Sequence, residues 1–496
     1  MMPNFNEKDR RIFFSLLAIS AVYIFPLILT GRLYVDDLSR SLYGNAGWVT
    51  DGRPLATLVM EILNLGKPIL NLSPMIQIMS VMILSLSLTL YAKENLRDKE
   101  EGMVILCLFS LIANPFFIEN LSYKYDSLPM SLSIAAILSP FSINAAGTKW
   151  INNIVSVFFV ITSLCFYQSS IGLFVIFSLI QCCLLVIGTK INIGELVFVL
   201  ANRILQLIIS YVIYKKFIAD KLVGGSYALS HAGIVKISLD SAVIIKRNIK
   251  GVCEYLIILL KSYPEILIIF LAIAAVIGVF NLLILSWKKN RNCFAIAFIF
   301  PIPFLIVVFS FLHLVVLKNP VFAPRVFTSF GGVLFFLSLC ILLLKISIKI
   351  KYSIMVPFVF TSFVFMYSYS SVSQAQDKID TLIASSIYNG INNNKVKGNK
   401  VSIYGRVPIS SELALASKKI PLLDKLVPIY ISNWWWGAVF LQHFRIPVWI
   451  DDFTEKDADS ICHLKPISDT NDFKIFNADD KIIIVFPDYS CRKLPS

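Results

Sequence analysis

Charge is scarce in this sequence. Asp, Glu, Lys and Arg make up 15% of its 496 residues, where a soluble protein carries about a quarter. That deficit excludes a water-facing surface over most of the chain. Histidine is scarcer: His231, His313, His443 and His463 are too scattered to gather on a metal. No C-x-x-C spacing, Walker loop or G-x-G-x-x-G occurs, so zinc ribbons and the common nucleotide cradles are not expected. No resident metal or cofactor is expected either. The short D-x-D match at 457–459 is set aside, because three residues match often by chance. No internal repeat is visible. The basic excess, a formal charge of +14, forms no single stripe, which argues against a nucleic-acid partner.

What the sequence has is apolar length. Hydrophobic residues make up 57% of the chain and its mean hydropathy is +0.74. Runs at 71–92, 103–118, 154–188 and 266–285 are long enough for the ~30 Å of a bilayer core at a rise of about 1.5 Å per residue. The expected fold is a polytopic α-helical membrane protein. Eleven transmembrane helices are expected near 12–30, 71–92, 103–118, 128–143, 152–167, 170–188, 196–214, 265–286, 294–313, 328–345 and 354–373. The first lacks a small-residue cleavage pattern and reads as an anchor. Short connections carrying Lys93, Arg97, Lys99, Lys149, Lys190, Lys288–Arg291 and Lys345–Lys351 mark the cytoplasmic face. Loops 31–70 and 215–264 and the portion 374–496 then lie outside. Residues 1–373 form the membrane domain. Residues 374–496 form a small α/β domain, with VSIYG and KIIIVF as strands, SELALASKK as a helix and 389–400 as an exposed loop. Cys462 and Cys491 flank KIIIVF; in an oxidising compartment they form a bridge, and otherwise they are two buried thiols.

Ionisable residues gather at the expected outer rim. Asp36 and Asp37 follow the first apolar segment, and Arg40 lies within helical reach of both. As solvated loop acids they would be unremarkable. Beside a bilayer, acids facing a cavity are a functional signal. In NLSYKYDSLPMS, Asp126 and Ser127 suit an N-cap, and Tyr123 and Tyr125 suit an aromatic belt; neither reading explains Lys124. Gln168 sits in the uncharged turn FYQSSIGLF. Arg325 begins a helix, where a cation opposes the macrodipole and wants an anion: a phosphate, or a carboxylate such as Asp36 or Asp126. Arg203, inside an apolar helix, snorkels or makes an internal pair. Acids, cations and aromatics at an outer rim suit a lipid-linked phosphosugar donor. A base would deprotonate the acceptor hydroxyl and cations would hold the departing phosphate.

VDDLSRSLYG followed by GRPLA, then YKYDSLPMSLS, YQSSIGLF and PVFAPR, resembles the bacterial serotype-converting O-antigen glucosyltransferases of the type II family. These belong to the GT-C class of membrane glycosyltransferases. The resemblance covers residues 30–330 and weakens beyond. It implies glucose transfer from undecaprenyl-phosphate glucose to a sugar of lipid-linked O-antigen, at the periplasmic face of the inner membrane. It also implies a flippase and an undecaprenyl-phosphate glucose synthase as functional partners. The acid pair Asp36–Asp37 matches the position of the GT-C base. Arg53, Lys124 and Arg325 are the candidates for the donor phosphate, with Arg40, Tyr123, Tyr125, Asp126 and Gln168 lining the site. The rivals are a transferase of another polyprenyl-linked sugar and a lipid-sugar transporter or flippase.

Overall fold

The computed structural model describes residues 5–143, 149–235, 239–394, 398–478 and 481–487. The chain divides into two compact units: residues 1–28 with 46–367, and residues 29–45 with 368–496.

The first unit is helical. Helices stand at all eleven expected places, and among the described residues seven in the whole chain are long and apolar enough to cross a membrane. They are Glu7–Thr30, Met75–Asn95, Gln168–Gly188, Ile193–Leu222, Glu265–Asn290, Cys293–Val315 and Ile348–Asn393. Glu101–Ile112, Ser127–Phe141, Trp150–Phe166 and Phe330–Leu343 are apolar but shorter. Two expected spans are interrupted at prolines, which remove a helix donor and clash with the preceding turn. The span near 103–118 stops at Ile112, before Pro115, and resumes as Phe117–Ser122. The span near 294–313 is stepped at Pro301.

Lipid tails offer helices no hydrophobic drive to associate, so close packing and small residues decide the contacts. A Cβ on Gly278 would meet Cys340 Cβ at 2.7 Å, and one on Gly172 would meet Ser329 Oγ at 2.6 Å. Aromatic edges fill the wider gaps: Tyr91 packs T-shaped on Phe177 and Phe335, at 5.1 and 5.6 Å. Phe14, Phe25, Val276, Phe280, Phe300 and Phe304 stay exposed, as lipid-facing positions should. The N-terminal helix and the first basic connection share one end: Lys8 Nζ donates to the carbonyls of Arg97 and Lys99, and Arg11 pairs with Glu101 at 3.0 Å.

The second unit carries a five-stranded sheet: β1 (Lys400–Tyr404), β2 (Trp449–Ile450), β3 (Ser468–Asp469), β4 (Lys474–Ala478) and β5 (Lys481–Val485), in the order β2-β1-β5-β4-β3. β1 lies parallel to β2 and β5, while β4 is antiparallel to β5 and to β3. Central β5 is buried throughout, which is why it reads as an unbroken apolar run. Its core includes Ile383, Ala384 and Ile387 from the end of the long helix, and Leu38 from the helix Asp36–Tyr43. The stretch 389–400 is not simply a loop: the long helix runs on to Asn393. VSIYG, KIIIVF and SELALASKK form β1, β5 and the helix Ser411–Lys419, whose Ser410 hydroxyl accepts from Leu413 N–H at 3.1 Å. Cys462 is disulfide-bonded; Cys491 lies outside the described residues.

Candidate active site

In the second unit, the two acids have different surroundings. Arg32 is buried, with Nη2 donating to Asp380 Oδ2 at 2.6 Å and to the Pro428 carbonyl at 2.7 Å. Its guanidinium also lies over the Tyr430 ring, 4.7 Å from the centroid. The Tyr430 hydroxyl donates to the Leu33 carbonyl and accepts from Val35 N–H. Held this way, Val35 adopts φ 45° and ψ −97°, a region a β-branched residue enters only under strain. The helix Asp36–Tyr43 starts immediately after it. Asp37 is fully buried and accepts Tyr34 N–H at 3.0 Å. Asp36 retains 37% exposure of its side chain, with Arg40 Nη1 at 4.0 Å. Adjacent helix positions diverge by about 100°, so one acid turns into the fold and the other out of it.

In the first unit, four expected outer connections converge. The turn Trp48–Asp51 ends at Gly52, with φ +76°, where a Cβ would sit 2.7 Å from Tyr214 Oη. Only glycine fits, and Arg53 follows. Arg53 Nε donates to Gln168 Oε1 at 2.9 Å, and its guanidinium lies 4.8 Å from the Tyr167 ring centroid. Gln168 is fixed in turn: its Nε2 donates to the Asp51 carbonyl and to Tyr214 Oη. The Tyr167 hydroxyl donates to the Arg325 carbonyl at 3.0 Å. Arg325 has a carboxylate beside it in the first unit. It pairs with Glu119 at 2.7 Å, and its backbone N–H donates to the other Glu119 oxygen at 2.8 Å. Arg325 Nη1 also donates to the Tyr123 hydroxyl at 2.8 Å.

Asp126 makes no side-chain cap bond; it accepts from Trp48 Nε1 at 2.5 Å. Tyr125 packs in an apolar cluster with Trp48, Met60 and Leu128. Lys124 is buried. Arg53, Tyr123, Gln168 and Arg325 are thus joined through Tyr167 and Glu119, while Asp36, Asp37 and Arg40 belong to the other unit. Arg203 makes an internal network, donating to Gln181, Gln206 and the Pro140 carbonyl, with Phe141 beneath it.

Glu119, Trp48, Tyr167 and Arg32 were not singled out from the sequence. Glu119 had a legible signal, an acid inside the apolar run FFIENL. The others had none, because their partners are distant along the chain.

Seven helices long and apolar enough to cross a membrane, with buried charged and aromatic groups, are the features of a polytopic membrane protein. The comparisons narrow the class. The glucosyl transferase GtrII family model matches residues 25–336. An uncharacterised 55.3 kDa protein in the gtrB 5' region of Salmonella phage P22 is 31% identical over 447 residues, covering 88% of this chain and 91% of the relative. The chain belongs to the glucosyl transferase GtrII family. No solved structure matches it.

Proposed function

We propose that the protein transfers glucose from undecaprenyl-phosphate glucose to a sugar of lipid-linked O-antigen, at the periplasmic face of the bacterial inner membrane. The observation that carries this reading is the division of labour between the acids. Asp37 is committed to the Tyr34 amide, and Asp36 is left open to a substrate. Asp36 takes the proton of the acceptor hydroxyl as its oxygen attacks the anomeric carbon. The bond from that carbon to the phosphate oxygen breaks, and undecaprenyl phosphate departs with the electron pair. A phosphate leaves as a stable anion, so no second, acidic carboxyl is required.

Arg53 is the best candidate for the departing phosphate. It has no carboxylate partner among the described residues, and its Nε bond to Gln168 leaves both terminal nitrogens for oxygen atoms. Arg325 is already neutralised by Glu119 and serves better as the post that positions Tyr123 and Tyr167. Lys124 remains a second cation for the phosphate. In this reading loops 31–70 and 215–264 and residues 374–496 face the periplasm. The disulfide-bonded state of Cys462 supports an oxidising compartment. The relative encoded beside gtrB supports a multi-gene system, with a flippase and a donor synthase as partners.

Purified protein in liposomes, given radiolabelled undecaprenyl-phosphate glucose and lipid-linked O-antigen, should label the O-antigen with no nucleotide sugar present. Labelling from a nucleotide sugar alone would overturn the donor assignment.

A further inference from the structure

The second unit holds a cleft of about 340 Å³ lined by Tyr43, Gln442, Arg445, Pro447 and Trp449. Its composition is that of neither a core nor an ordinary surface. Trp449 is 52% exposed on the edge strand β2, and Tyr43 is 42% exposed at the last turn of the helix that begins with Asp36. Two large aromatic faces are thus left uncovered on one cleft among the described residues.

The polar groups between the rings are fixed. The Tyr43 hydroxyl donates to Gln442 Oε1, and Gln442 Nε2 donates to the Val448 carbonyl at 2.9 Å. Arg445 sits at φ +61°, in a turn closed by its own N–H on the Gln442 carbonyl at 3.0 Å. Holding a non-glycine residue there costs energy, and the result is a guanidinium with no carboxylate partner among the described residues. The helix Trp435–His443 and the helix Asp36–Tyr43 are fastened beneath the cleft, with His443 Nε2 3.0 Å from the Leu38 carbonyl and 3.4 Å from Ser41 Oγ.

We infer that this cleft is a saccharide subsite that holds the acceptor glycan. The C–H face of a pyranose is apolar and slightly positive at its hydrogens, and it stacks on the negative face of an aromatic ring. Its equatorial hydroxyls need planar donors and acceptors at the rim, which Gln442 and Arg445 supply. The cleft volume lies within the ordinary range for small-ligand sites, roughly 300–1,000 Å³. Tyr43 is seven residues after Asp36 on one helix, a separation of about 10 Å at a rise of 1.5 Å per residue. A short oligosaccharide spans that distance, so a glycan seated on Tyr43 and Trp449 extends toward the proposed base. The inference rests on the glycosyl-transfer reading above and names where its acceptor lies.

The test uses the full chain in lipid nanodiscs and the O-antigen polysaccharide freed of lipid by mild acid. Saturation-transfer NMR without donor should show polysaccharide contact in the wild type, lost in Trp449→Ala and Arg445→Ala and kept in Trp449→Phe. In transfer assays, Trp449→Ala should raise the acceptor KM about tenfold with the donor KM unchanged. Equal polysaccharide contact in the wild type and both alanine variants, or none in the wild type, overturns the subsite. So does quenching of Trp449 by brominated lipid, which would make the cleft a membrane anchor. If transfer proceeds normally in the variants, the subsite fails and the transferase reading stands. If the wild type binds polysaccharide but transfers no glucose from the lipid donor, the transferase reading fails and the cleft remains a glycan site.

Discussion

The two units bury charge by the same device and leave charge exposed in opposite senses. In the membrane unit, Arg325 is matched by the buried Glu119 at 2.7 Å, while nearby Arg53 is held only by an amide and an aromatic face. In the other unit, Arg32 is matched by the buried Asp380 at 2.6 Å and Asp37 by a backbone amide, while Asp36 keeps access to water. Among the residues nearest these two, each region therefore pairs one arginine with a buried carboxylate and leaves a neighbour without such a match, the cation Arg53 in the first and the acid Asp36 in the second. In the proposed transfer, the departing phosphate would use the cation and the attacking hydroxyl the base. The paired groups set the geometry of the spare ones.

The sharpest way to break that comparison is to exchange the roles of the acids. Asp36→Asn should reduce glucose transfer by about 10²–10⁴-fold, the usual contribution of a general base, with membrane levels and thermal stability unchanged. Asp37→Asn should lower stability as well, because it weakens the acceptor for the Tyr34 amide. Single-turnover rates and melting curves of both variants separate the two. Loss of turnover confined to Asp37→Asn would reverse the assignment.

The buried pairs come next. Removing one partner of a buried pair typically costs about 3–5 kcal/mol. Asp380→Ala should destabilise the chain by somewhat less, because Asp377, 3.5 Å from Arg32 Nε, still faces the charge. It should also impair transfer, since Arg32 and Tyr430 together hold the strained Val35 ahead of Asp36. Replacing Arg32 and Asp380 together by apolar residues of similar size should recover much of the stability. Thermal unfolding in detergent, run on the single and double variants, measures both effects. An Asp380→Ala chain as stable as the wild type would remove the pair from this account.

A smaller loss is expected at the spare cation. Arg53→Lys keeps the charge but loses the fork and the flat face over Tyr167, and should raise the donor KM roughly tenfold, the equivalent of about 1.4 kcal/mol. Acceptor KM should not change. If donor KM is untouched, the phosphate belongs to Lys124 or Arg325.

Much of this arrangement can be read along the chain, and the unreadable part has a common cause. Apolar runs mark the helices because only a continuous apolar surface tolerates lipid, and VDDLSRSLYG is conspicuous because acids there are costly. The different surroundings of Asp36 and Asp37 are invisible in sequence, since helical geometry says that neighbours diverge but not which one faces inward. Glu119 falls just past the expected span 103–118, and nothing in its local surroundings names Arg325, about two hundred positions away, as its partner. Residues 29–45 fold with the C-terminal unit through Leu38, Arg32 and Tyr34, whose partners lie hundreds of positions away. No local periodicity carries such pairings. The proline interruptions at 115 and 301 were legible, and apolar length alone hid them.

The smallest effect concerns the ion pair of the sheet. Lys481 donates to Asp457 at 2.8 Å and lies 3.1 Å from Asp451. Burial pushes the Asp457 carboxyl up, but hydrogen bonds from Lys481 and Thr454 outweigh it and hold the group below its usual 3.8. Burial likewise pulls Lys481 down, and its bonds to Asp457 and Asp451 outweigh that and raise it above 10.5. A depressed carboxyl contributes stability that is complete above its unfolded value and lost as pH falls through the folded one. A raised ammonium contributes below its unfolded value and loses that as pH climbs past the folded one. The pair should therefore contribute fully between pH 5 and 9 and fade at both ends. Melting temperatures of the full chain in detergent, wild type against Asp457→Asn, should differ by a constant amount across that plateau. The gap should narrow below about pH 4, where the wild-type carboxyl takes up a proton and begins to resemble the amide. A gap that stays constant down to pH 3 would mean that Asp457 acts only as the cap for Thr454, and that the sheet does not use its charge.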